Sequence, residues 1–66
     1  MRVQDLNLDY VGAWVRVEPR RFWKRTWEGK LLGVWREDEK WFISVYNSGQ
    51  PNIIDVRPKD YVETSL

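Results

Sequence analysis

The segment Trp27-Glu28-Gly29-Lys30-Leu31-Leu32-Gly33-Val34-Trp35 constrains the fold more than any other stretch. It reads as a strand over residues 27–36 that carries glycine at internal positions, and glycine inside a strand marks a bulge or sharp bend. That is the device by which a small sheet curls over its own core. The residues on either side support extended chain. Over residues 10–17, Val11, Ala13, Val15 and Val17 share one face, while Tyr10, Gly12, Trp14 and Arg16 share the other, the period of a β-strand.

The rest of the chain continues in the same style. Trp41, Ile43 and Val45 alternate with Phe42, Ser44 and Tyr46, so a third strand has an aliphatic face and a mixed aromatic face. Residues 36–40 are polar and read as a turn. Asn47-Ser48-Gly49-Gln50 reads as a hairpin turn in which Gly49 can supply a positive φ. A fourth strand over 52–57 places Ile54 and Val56 inward and Ile53, Asp55 and Arg57 outward; a turn at Pro58-Lys59 then leads to a last strand over 61–64. Residues 1–9 are expected to form either an extended arm or a short helix, and residues 10–66 the folded body. Short strands with one long loop and one tight turn point to an all-β, five-stranded small barrel.

Composition bounds what such a domain can do. A chain of 66 residues makes one domain, able to exclude only about 60% of the surface its unfolded form exposes. Marginal stability or self-association is expected. Cysteine and histidine are both absent, which removes disulfides, thiol chemistry, histidine acid/base sites and the usual zinc ligands. Aromatic side chains, five of them tryptophan, take over the stabilising role. No apolar run approaches the roughly 20 residues of a membrane span, and the opening Met1-Arg2-Val3-Gln4-Asp5 does not read as a signal peptide. A cytoplasmic location is the expectation, with no cofactor and no metal.

Net charge is +1, but it is unevenly spread. Arg16, Arg20, Arg21, Lys24 and Arg25 face only Glu18 in the same stretch, whereas Glu37-Asp38-Glu39 forms an acidic tip. The aperiodic residues 18–25, containing Pro19, read as a long basic loop between strands one and two.

With these elements in order, the chain resembles the SH3-like small-barrel superfamily. Locally it is most similar to the plasmid-borne type II dihydrofolate reductases, which pair a Gly-x-x-Val-Arg-like first strand with a Trp-x-Gly-x-aliphatic-aliphatic-Gly-aromatic second strand. The resemblance covers about residues 12–63. In that family a Val-Gln-Ile-Tyr segment followed by proline lines the pore of a homotetramer, and the matching stretch here is Ile54-Asp55-Val56-Arg57-Pro58. Asp55 and Arg57 replace the ligand-contacting glutamine and tyrosine, so the resemblance implies the fold and not the reductase activity. Pro58-Lys59-Asp60-Tyr61-Val62 resembles the ending of peptide-binding SH3 domains, with Trp41 in place to complete a proline groove and Leu6-Asn7-Leu8-Asp9-Tyr10 echoing their opening motif. The basic loop is opposite in sign to the acidic one by which those domains catch a ligand arginine. The first two strands are also similar to Sm-like proteins, and the basic loop leading into Trp-x-Gly to the C-terminal DNA-binding barrels of integrases. One architecture hosts many functions.

Two binding surfaces are expected. Arg20-Arg21-Phe22-Trp23-Lys24-Arg25, with Arg16 beside it, interleaves cations and aromatics as nucleic-acid binders do, cations neutralising phosphates and rings stacking bases. The plainer alternative is a solvated loop whose Phe22 and Trp23 fold back to plug a barrel end. Trp14, Phe42 and Tyr46 fall on outward faces of neighbouring strands, and Trp41, Pro58 and Tyr61 can line a groove. These residues make a partner or oligomer surface, or serve as cross-strand packing and seam closure. Trp27 and Trp35 are expected in core and rim packing. No carboxylates are placed for general acid/base work, so the chain reads as a non-enzymatic binding module for DNA or RNA, with a protein-binding adaptor or inhibitor of phage or bacterial type as the alternative.

Overall fold

The computed structural model describes residues 1–18 and 25–65. It is all-β, with five antiparallel strands in one sheet: β1 (Trp14–Glu18), β2 (Trp27–Glu37), β3 (Lys40–Asn47), β4 (Gln50–Val56) and β5 (Tyr61–Thr64), in the order β4-β3-β2-β1-β5. Two short 3-10 helices, Val3–Asp5 and Leu8–Tyr10, precede them.

The long strand β2 organises the whole. Its first part, Trp27 to Lys30, pairs with β1, and its second part, Lys30 to Glu37, pairs with β3. Leu31, opposite Val45, exchanges backbone hydrogen bonds with Gly12 and Ala13 on its other side, and Lys30 has partners on both sides, Trp14 and Tyr46. Beside it Gly29 lies at φ 154°, where an added Cβ would run into the Tyr46 carbonyl oxygen and stand 2.7 Å from Val45 Cγ1. Only glycine lets β3 approach this closely. The register then slips between Leu31 and Gly33, a bulge that bends the strand and exchanges its faces.

The core collects what the two parts of the sheet turn inward. Val15, Val17, Leu31, Ile43, Val45, Ile54, Val56 and Val62 are buried, with Val3 and Leu6 joining from the N-terminal segment. Each contributes roughly 1.5–3 kcal/mol on burial. Trp27, Val34, Trp41, Tyr10 and Met1 pack at the margin. The N-terminal residues are tied in by backbone: Val62 N–H donates to the Met1 carbonyl at 2.7 Å, Val3 N–H to the Asp60 carbonyl at 2.9 Å, and Arg2 bridges to Tyr61. Asp60 is 1% exposed, and its carboxylate accepts the Arg57 backbone N–H at 2.9 Å, holding the turn before β5.

Three expectations are corrected. The first strand does not start at Tyr10: the Asn7 side chain accepts the Asp9 N–H at 2.8 Å and caps a 3-10 helix through Tyr10. Gly12, at φ 95°, then turns the chain into β1. Val11 consequently leaves the valine face and is 42% exposed. The turn expected over 36–40 shrinks to Asp38-Glu39, because Glu37 and Lys40 pair directly. Finally, the ends of the strand order, β4 and β5, are not hydrogen-bonded to each other, so the sheet is not closed into a barrel.

Candidate functional site

The candidate site is built where the chain enters β2. Trp27 opens the strand opposite Val17 and packs half-buried against the core. That anchorage presents its ring to Arg25, whose guanidinium carbon stands 4.1 Å from the ring centroid. A cation over an indole face at this distance is held by the ring quadrupole while its donors stay available. Arg25 lies in no ion pair among the described residues.

The neighbouring wall comes from the β3–β4 turn. Arg25, Thr26, Trp27, Glu28, Asn47, Ser48, Gln50 and Asn52 line an open cleft of about 400 Å³. Asn47 ties the two walls together, its Nδ2 donating to the Glu28 carbonyl at 2.7 Å. Asn52 braces the turn by donating to the Gln50 carbonyl at 3.2 Å. Ser48 and Gly49 form the two-residue connection with φ 56° and 81°, the backbone that suits a right-twisted hairpin. The cleft is thus braced by hydrogen bonds on the turn side and mainly polar, with Trp27 as its apolar element and one cation and one carboxylate, Arg25 and Glu28.

Arg16 lies on β1 beside Glu28, a residue of the cleft wall. It faces Glu28 on one side and Glu63 on the other, and its guanidinium is 3.5 Å from Glu18. Arg16 stands among carboxylates that offset its charge locally. Arg20, Arg21, Phe22, Trp23 and Lys24 lie outside the described residues.

A second surface covers the outer face of β2, β3 and β4. Register places Lys30, Tyr46 and Pro51 in one row, Gly33, Ser44 and Ile53 in the next, and Trp35, Phe42 and Asp55 in the third. Phe42 stacks on Trp35 with centroids 5.8 Å apart. Tyr46 is 46% and Ile53 69% exposed, and Leu32 emerges from the bulge at 40%. Trp14, 41% exposed, continues the first row across Lys30. Phe42 and Tyr46 therefore share one face, with Trp14 at its border on β1. Trp35 joins this face only because the bulge exchanges the two sides of β2, a shift that simple alternation does not show.

Trp41 packs against the core. Pro58 lines a shallow cleft with Glu39, Lys40, Asp55, Val56 and Arg57, whereas exposed Tyr61 shares another with Tyr10 and Met1. That Tyr10 and Tyr61 line one cleft does not follow from their spacing in the chain. Among the described residues no helix is long and apolar enough to cross a membrane, and no group of three or more carboxylates is gathered for a metal.

The chain matches no protein-family model, no curated protein and no solved structure.

Proposed function

We propose that the protein is a non-enzymatic binding module, an open-sheet relative of the SH3-like class, that engages nucleic acid at the Arg25 end of the sheet. The architecture is supported by a single long strand shared between two parts of the sheet, bent at glycine and followed by two tight hairpins. The observation that carries the function is the stack of Arg25 on Trp27 at the mouth of a polar cleft. It stands immediately after the cationic and aromatic run 20–24, so phosphate neutralisation and ring stacking are available within one short segment. Base reading plays little part, because a guanidinium and unpatterned cations serve phosphates in any sequence.

A tryptophan fluorescence titration with mixed-sequence single- and double-stranded oligonucleotides at low and moderate salt tests this reading. Quenching is expected, with an affinity that falls steeply as salt rises. Removing one phosphate contact in Arg25→Ala should weaken binding by roughly three- to tenfold and reduce the salt slope by about one. An unchanged isotherm for Arg25→Ala together with Arg20→Ala/Arg21→Ala would remove this end of the molecule from the function. The alternative, a module docking on protein through exposed aromatics, is favoured by the outer face of β2–β4, and binding there would tolerate salt.

A further inference from the structure

We infer that the outer face of β2, β3 and β4 is a self-association surface, on which a second copy of the chain docks about a two-fold axis. This goes beyond the nucleic-acid reading and does not depend on it.

The face is not accounted for by packing within one copy. Phe42 has its partner in Trp35, but Ile53 lies opposite Ser44 and remains 69% exposed. An isoleucine whose cross-strand neighbour is a serine gains no apolar pair from its own sheet. In the middle row the small residues Gly33 and Ser44 lie between the larger Tyr46 on one side and Trp35 and Phe42 on the other, with Ile53 at the β4 end of the row. The result is an apolar relief with depth for another chain's side chains. Lateral addition to β4 is the less suitable contact, since Pro51 interrupts that edge.

Charge identifies the occupant. Of the nine positions in the three rows, two are charged, Lys30 and Asp55, and they stand at opposite corners with Ser44 between them. Neither is in an ion pair among the described residues. A two-fold axis lying in the interface and perpendicular to the line joining those corners brings each Lys30 onto the Asp55 of the other copy. The face is therefore complementary to itself, as an isologous dimer contact must be. Any unrelated partner would need the same diagonal pattern. Stability points the same way: a chain of 66 residues with no cysteine and ten buried apolar side chains among the described residues has a small core, and a second copy adds to it.

The test is sedimentation equilibrium on the full chain from micromolar to millimolar protein, with circular dichroism to confirm that each variant is folded. The wild type is expected to dimerise reversibly. Lys30→Asp and Asp55→Lys each create two like-charge contacts and should weaken the dimer by roughly tenfold or more. Mixed in equal amounts, the two folded variants should form a heterodimer in which both charge pairs are restored, and the double variant K30D/D55K should dimerise like the wild type. Ile53→Lys should abolish association. A wild type that stays monomeric at millimolar concentration overturns the inference. So do charge variants that dimerise unchanged, or a mixture in which no heterodimer forms.

Discussion

A single missing Cβ at Gly29 allows β2 to serve both of its neighbours. With the Tyr46 carbonyl and Val45 Cγ1 against that position, Gly29→Ala must push β3 away or distort its own φ of 154°. The cost should be about 2–4 kcal/mol, read as a lower denaturant midpoint at unchanged slope. Gly33 is the control, because its nearest foreign atoms, on the Trp35 ring, are 3.9 Å from an added Cβ. Gly33→Ala should change stability by less than about 1 kcal/mol. Both glycines looked alike in the sequence, as interruptions of a strand. What separates them is the approach of a strand more than ten residues away, and no local pattern encodes it.

At the scale of elements, the hairpins are the most exposed to engineering. Ser48 holds φ at 56° ahead of Gly49 at 81°, a left-handed pair for which Asn-Gly is the favoured sequence. Ser48→Asn should raise stability by about 0.5–1 kcal/mol, measured by thermal or denaturant unfolding. Strand faces were legible wherever alternation ran unbroken. Ile43 with Val45, and Ile54 with Val56, are buried as their spacing indicates, and Ile53 points outward. Alternation failed in two places for physical reasons. A capped 3-10 helix claimed Tyr10 and left Val11 exposed, and the bulge after Leu31 put Trp35 on the opposite face from Trp27. A strand pattern cannot reveal either event, since both depend on which backbone groups find partners.

For the molecule as a whole, the five-stranded, all-β character and most of the aliphatic core followed from the pattern, the order of strands in an open sheet did not, and the surfaces did so only in part. The composition of the basic segment was visible in the sequence, yet the seating of Arg25 on Trp27 and the carboxylates around Arg16 required register to be known. The N-terminal residues, undecided between arm and helix, supply Val3 and Leu6 to the core. Because β2 passes from its β1 partner to its β3 partner around Lys30, the domain divides there into a local part and a remote one. Strands β2, β3 and β4 follow one another through two-residue turns, whereas β1 must find β5 at the far end of the chain, Val17 beside Val62. Loop-closure entropy falls on the second pairing, so the meander should form first in folding. Ile43→Val should then slow folding, while Val62→Ala should chiefly speed unfolding, as stopped-flow chevrons would record. The protein assembles as a template and then a clasp, and weakening the clasp shortens the life of the native state without delaying its birth.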